Sequence, residues 1–316
     1  MSAHVYVIAE AGVNHNGSPQ LAQELVRAAA QAGADAVKFQ TFRAELLATR
    51  DAPKAAYQKR TTPAEETQAQ MLAKLELDAA AHAGLAKLAR GLGIDFLSSA
   101  FDVASLDMLV RECALPRIKM PSGEITNPIL LLDAARRGLP VILSTGMATL
   151  DEVRFALGVL AFGLLRREER PSTAAFAAAF ASSEGKAALR NVTLLHCVSA
   201  YPAPVAETNL RAMDHLRDEF GLPVGFSDHS EGIGLPIAAV ARGAVMIEKH
   251  LTLDRTLPGP DQAASLEPAE FAERVRWIRA TGAALGDGRK VPQAAERDTA
   301  RVARRSLVAV APIKRG

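Results

Sequence analysis

Long apolar runs, cysteines and an excess of one charge are all scarce in this chain of 316 residues. No uninterrupted apolar stretch approaches the roughly 20 residues of a membrane span. The N-terminus, MSAHVYVIAEAG, lacks a basic region followed by a long apolar one, so no signal peptide is expected. Two cysteines, Cys113 and Cys197, make no disulfide framework, which points to a reducing, cytoplasmic setting. A formal net charge of +2 is too small to suggest a nucleic-acid partner. No GxGxxG opens a helix after the first apolar run, which weakens a dinucleotide-binding reading. No HExxH or cysteine frame marks a metal site either.

What is present is globular, with 49% hydrophobic and 23% charged residues. Short apolar runs recur at fairly regular intervals: VYVIAEAG from Val5, ADAVKFQT from Ala34, IDFLSSAFD from Ile94 and RIKMPSGE from Arg117. PVILSTGM from Pro140, NVTLLHCVSAYP from Asn191, PVGFSDHS from Pro223 and AVMIEKH from Ala244 complete the set. Between most of them lie Ala- and Leu-rich segments with helical spacing, many closed by a Gly stop signal. Buried strands alternating with amphipathic helices imply parallel strands and helical crossovers. Eight such units suit one closed (β/α)8 TIM barrel over residues 1–290, with an open doubly wound sheet as the alternative.

Two stretches interrupt the rhythm. Residues Leu46 to Leu77 follow the second strand, so they are expected to fold over the end where strands finish. Residues Arg166 to Arg190 precede the sixth strand and are expected to decorate the opposite face. In barrels the active site is assembled where strands end, and here each strand ends in chemistry. Glu10 comes first, then Lys38 with Gln40, Ser98 with Ser99, and Lys119 with Ser122 and Glu124. Ser144 and Thr145 follow, then His196 with Ser199 and Tyr201, then Ser227, Asp228 and His229, then Glu248, Lys249 and His250. One polar strand end is solvation, whereas eight on one rim suggest a site. His4, His82 and His215 read as surface residues.

Lys38 and Lys119 lie among serines and turns whose N–H groups can cradle oxygens, which suits a phosphate plus a carboxylate. His229 and His250 end consecutive strands, neighbours in a barrel, so both imidazoles can reach one metal ion. Glu10, Glu124 and Asp261 are candidates for sugar hydroxyls or proton transfer. Tyr201, in the proline-fixed SAYPAP, either faces a ligand or simply packs.

The motifs IAEAGVNHNGS, AVKFQTF, KMPSGEITN, ILSTGMATL, LLHCVSAYPAP, GFSDHSEGIG and IEKHLTLDRTLPGPDQAASLEP run in order from about Val5 to Gly288. Together they resemble the sialic acid synthase family. That resemblance implies a TIM barrel that condenses phosphoenolpyruvate with an N-acylated mannosamine-type sugar to give a nonulosonic acid. It implies a divalent metal, Mn²⁺ with Mg²⁺ or Co²⁺ as alternatives, on His229 and His250. It implies phosphoenolpyruvate contacts at Lys38, Ser99, Lys119, Ser122, Ser144, Ser199 and Ser227, and a sugar near Glu10, Gln40, Tyr201 and Asp261. Glu124 is the candidate to orient or deprotonate the attacking water.

Ser99 stands where the family often has Thr, and Ser199 where it often has Asn. The motifs SGEITN and SAYPAP are more similar to the bacterial legionaminic branch, whose acceptor is a 2,4-diacetamido-trideoxy-hexose; N-acetylmannosamine is the alternative acceptor. Family members usually continue into a small antifreeze-like domain that closes a partner's site in a homodimer. Residues 291–316, ending in RRSLVAVAPIKRG, read as a linker and only the beginning of that domain. Two rival functions are a Schiff-base or metal-dependent lyase acting on a pyruvate-like substrate, and a sugar-phosphate-binding barrel without catalysis.

Overall fold

A computed structural model describes residues 4–55, 58–63, 65–166 and 168–316. Eight parallel strands close into a barrel in sequence order, with the first paired to both the second and the last. They are β1 (Tyr6–Gly12), β2 (Ala36–Thr41), β3 (Asp95–Ala100), β4 (Ile118–Met120), β5 (Val141–Ser144), β6 (Val192–Cys197), β7 (Val224–Asp228) and β8 (Met246–His250). Each lies within one of the eight apolar runs, and closure excludes the open sheet.

Alternation of side chains along a strand decides what fills the interior. Ile8, Ala36, Leu97, Ile142, Leu195 and Met246 meet inside the barrel as a small, fully buried apolar cluster. The larger core lies outside it, where Val37, Phe96, Leu143, Phe226 and Ile247 pack against the surrounding helices. Those helices start where the sequence supplies caps. Asp78 accepts from the backbone of Ala81 at 2.7 Å to open Ala79–Gly91, and Thr149 with Glu152 forms a capping box for Leu150–Leu164.

The helix Ala79–Gly91 corrects the reading of His82, which is fully buried. Its Nδ1 donates to the Asp78 carbonyl at 2.9 Å, and its Nε2 meets the Thr41 hydroxyl at 2.8 Å. Residues 82, 85, 86 and 89 share the helix face turned to the barrel. His4 and His215 are exposed.

Residues 168–190 form an outer layer; residue 167 of that stretch lies outside the described residues. The helix Thr173–Ala181 lies against Leu150–Leu164, with Phe176 edge-on to Phe162 at 5.3 Å and to Phe155 at 5.9 Å. Beyond the helix Pro268–Ala284, residues 286–316 are almost entirely exposed. A short helix, Arg297–Ala303, forms there, and the alternating residues after it form no strand. Among the described residues no helix is long and apolar enough to cross a membrane.

Candidate active site

Two residues beyond five of the six apolar floor positions, the same strands turn polar. Glu10 follows Ile8, Lys38 follows Ala36, Ser99 follows Leu97, Ser144 follows Ile142, and Glu248 follows Met246. These side chains, with Lys119, Ser122, Ser199, Ser227 and the two histidines, line one cavity of about 530 Å³ at the C-terminal mouth. The eight strand ends do converge.

Two buried ammonium groups and two buried carboxylates interlock there. Lys38 Nζ contacts Glu10 directly, donates to Ser99 Oγ at 3.2 Å and lies 3.7 Å from Glu248. Lys119 Nζ is 3.6 Å from Glu248, which also accepts from Ser227 Oγ at 2.7 Å. Burial pushes the Glu10 carboxyl up to about 7, more than the adjacent Lys38 ammonium can pull it down. Burial acts on Glu248 too, but there Lys119, Lys38 and the Ser227 hydroxyl together outweigh it and hold the carboxyl at about 2. One carboxyl is thus poised to exchange a proton near neutrality, while its neighbour stays ionised. Burial lowers the Lys119 ammonium, whereas Glu10 and Glu248 overcome burial at Lys38 and raise it.

His229 and His250 lie with ring centroids 5.8 Å apart, and Tyr201 packs beside them, tilted to His229 at 4.3 Å and edge-on to His250 at 5.7 Å. Burial lowers the His229 imidazole to about 4 and pushes His250 well below its ordinary value, so both are neutral bases at neutral pH. His229 Nδ1 must donate to the Val198 carbonyl at 2.7 Å, which leaves Nε2 with a lone pair. His250 Nδ1 is buried with no hydrogen-bond partner. Neutral imidazoles suit a divalent ion, and the Ser227 hydroxyl, 3.4 Å from His229 Nε2, already donates to Glu248 and leaves that lone pair open. Among the described residues no group of three or more His, Cys, Asp or Glu assembles, so substrate oxygens or water would have to complete its coordination.

Two glycines let backbone enter this space. A Cβ on Gly146 would meet Ser199 Oγ at 2.4 Å and Ser122 Oγ at 2.8 Å, while its N–H donates to Ser122 Oγ at 3.0 Å. Gly12 sits at φ +52°, where the β1–β2 register shifts, and a Cβ there would press within 3.2 Å of Glu10 Oε1.

The Leu46–Leu77 excursion does cover the mouth. Gln58 and Gln68 line the cavity, while Met71, Leu72 and Leu75 pack with Val13 and Phe42. Residues 56, 57 and 64 of that stretch lie outside the described residues. Buried Lys54 ties it together by donating to Thr62 Oγ1 at 2.8 Å. Between this cover and the Pro-Gly-Pro-Asp loop, a side pocket of about 90 Å³ holds Asp261 with Gln40, Tyr201 and His250. Burial raises the Asp261 carboxyl to about 6.

Of the sequence-nominated residues, Glu124 stands apart. It is half-buried in a 3-10 turn after β4, accepts from Asn127 Nδ2 at 2.7 Å, and is not among the cavity-lining residues. His196 also turns away, donating through Nε2 to the Thr208 carbonyl at 2.7 Å and stacking on Phe226. Sequence reasoning named Glu248 only among the polar strand ends and gave no role to Cys197, Gln58 or Gln68, all four of which line the cavity. Strand alternation was a sufficient signal for the first two, since Glu248 shares its parity with Met246 and His250.

The NeuB family profile matches residues 25–290. An N,N'-diacetyllegionaminic acid synthase of Legionella pneumophila is 46% identical over 96% of this chain and 79% of its own length. The enzyme of the same name from Campylobacter jejuni is also 46% identical, over 98% of this chain and 86% of its own. Among solved structures, an N-acetylneuraminic acid (sialic acid) synthetase from Leptospira borgpetersenii superposes with a TM-score of 0.76. That protein is 33% identical, and the match covers 95% of this chain and 91% of its chain. Barrel, converging strand ends and matched length agree, and the chain belongs to the NeuB family of sialic acid synthases.

Proposed function

We propose that this enzyme condenses phosphoenolpyruvate with an open-chain N-acylated amino sugar of the 2,4-diacetamido-trideoxy-hexose kind, giving a legionaminic-type nonulosonic acid and phosphate. The observation that carries the reading is the pair of buried lysines, ringed by serines, beside two neutral histidines in one cavity. The two relatives at 46% identity support the choice of acceptor, being named as diacetyllegionaminic acid synthases.

Lys38 and Lys119 bind the phosphate and carboxylate of phosphoenolpyruvate, with Ser99, Ser122, Ser144, Ser199 and Ser227 offering hydroxyls around them. Gln40, Tyr201 and Asp261 hold the sugar. A divalent ion, Mn²⁺ with Mg²⁺ or Co²⁺ as alternatives, would be held by His229 and His250 and supplies Lewis acidity at the sugar's carbonyl oxygen when bound. The enol π electrons form the new carbon–carbon bond, the aldehyde oxygen takes a proton, and positive charge develops at C2. Water adds at C2 and gives up a proton, after which the C2–O(phosphate) bond breaks, the new C2 hydroxyl passes its proton to the departing phosphate, and a keto acid is left.

Glu10 is better placed than Glu124 to carry that proton. It lies within the cavity, and its carboxyl titrates close to neutral pH. Glu248, ionised between the two lysines, offsets positive charge and holds both ammonium groups in register. Most of the rate enhancement then comes from positioning and electrostatics.

A panel of N-acylated hexoses with ¹⁸O in the bridging position of phosphoenolpyruvate tests both halves of the proposal. The label should leave with phosphate, and the diacetamido-trideoxy sugar should turn over fastest. Label retained in the sugar acid would overturn the mechanism, while faster turnover of N-acetylmannosamine would overturn the acceptor.

A further inference from the structure

Strands β7 and β8 carry charge on both faces. Ser227 and Glu248 are register partners that face the cavity, and the next pair, Asp228 and Lys249, points the other way. Both are sealed from solvent, as is Arg274 from the helix Pro268–Ala284. Arg274 contacts Asp228 Oδ2, and its Nε and Nη1 have no hydrogen-bond partner among the described residues. Lys249 Nζ donates to the Ser230 carbonyl. None of the three lines the cavity, and none has a part in the chemistry above.

A buried Arg274–Asp228 pair with a second buried cation, Lys249, on the neighbouring strand is a poor choice for stability alone. Well-packed apolar residues of the same volume are often as stable or more so. What the charges provide is direction. Asp228 Oδ1 accepts from both the backbone N–H of Ser230, at 2.9 Å, and its hydroxyl, at 2.6 Å. That closes a tight turn whose middle residue is His229. Arg274 fixes the Asp228 side of the turn, and Lys249 fixes its Ser230 side. Held at both ends, the turn presents the His229 ring inward, with Nδ1 on the Val198 carbonyl.

We propose that Asp228, Arg274 and Lys249 form an ionic clamp on the outer face of the barrel that positions His229 for divalent-metal binding. Arg274 and Lys249 are then positioning residues, acting through the turn and touching no substrate. This rests on the reading of His229 as a metal ligand, and the experiment separates the two.

Binding of Mn²⁺ alone to the full chain is followed by the electron paramagnetic resonance signal of the free ion, alongside thermal unfolding. Arg274→Met and Lys249→Met are each expected to weaken Mn²⁺ binding about tenfold, the low end of the effect of partners that orient metal ligands. Arg274→Lys, which can still pair with Asp228, should recover most of that loss. A purely structural role would move the unfolding temperature and leave Mn²⁺ affinity alone. Wild-type affinity in folded Arg274→Met and Lys249→Met overturns the clamp, as does failure of both variants to fold. No Mn²⁺ binding by the wild type, or full binding by His229→Ala, overturns the metal reading and the clamp with it.

Discussion

The floor and the mouth of the barrel are made by the same strands, two residues apart, yet they are built to opposite ends. Ile8, Leu97, Ile142, Leu195 and Met246 fill the floor with side chains that need no partner. The mouth above them buries Lys38, Lys119, Glu10 and Glu248 in close contact, and leaves Glu248 Oε2 and His250 Nδ1 without hydrogen-bond partners. Apolar floor contacts favour the folded state directly, whereas unsatisfied buried polar atoms oppose it. The difference teaches which changes should cost activity and which should cost stability.

Replacing a mouth imidazole should separate the two most sharply. His229→Ala or His250→Ala should lower turnover at least about 100-fold, since Lewis-acid assistance is worth several kcal/mol. The unfolding temperature should hold or rise. A chelator should abolish wild-type turnover and added Mn²⁺ restore it, so full activity in a chelated sample would remove the metal from the reaction.

Next come the ammonium groups. Lys38→Ala or Lys119→Ala should weaken phosphoenolpyruvate binding by about 10–100-fold, the worth of a buried charge-assisted contact. Sugar binding should change far less. Equal losses for both substrates, measured by calorimetry, would mean that the whole mouth had collapsed.

A smaller effect lies in pH. Glu10, lifted by burial from its ordinary 4.5 to about 7, keeps a proton in the folded state that the unfolded chain has already lost in that interval. Its contribution to stability is therefore full below about 4.5 and is lost as pH rises through 7. The same ionisation sets a carboxylate against Lys38 in competition with the substrate. Phosphoenolpyruvate binding should weaken above pH 7 by at most about tenfold per pH unit. Glu10→Gln should flatten that profile, and an unchanged slope would assign the titration elsewhere.

The smallest effect on turnover belongs to the floor. Leu97→Ala should destabilise the fold by about 2–5 kcal/mol, as cavity-forming core changes do. At a temperature where the variant is still folded, its substrate affinities should match the wild type. A selective loss of phosphoenolpyruvate binding would show that floor and mouth are one unit.

The same two-residue period explains how much of this was legible from sequence. Apolar runs marked all eight strands and polar residues marked their ends, Glu10, Lys38, Ser99, Ser144, Ser227 and His250 among them, and alternation along each strand is what turns these six inward. Parity fails where strands stop. Glu124 sits four residues past β4, in a turn that no periodicity aims, and Asn127 three residues on captures it. His82 was misjudged because a polar residue on a helix reads as exposed unless its companions at 85, 86 and 89 are counted. Gln58 and Gln68 were out of reach, since their place over the mouth depends on the path of a non-repeating connection, which Lys54 ties down.

That connection has an evolutionary consequence. All of the cover described over the cavity between Ala55 and Gln68 comes from a single crossover, the one joining β2 to β3. Insertions or deletions within it can reshape the cavity's cover while every barrel strand, and with it the ammonium and imidazole pairs, keeps its place. The shape of that part of the cavity can therefore change by editing one connecting segment, without rebuilding the strand ends underneath.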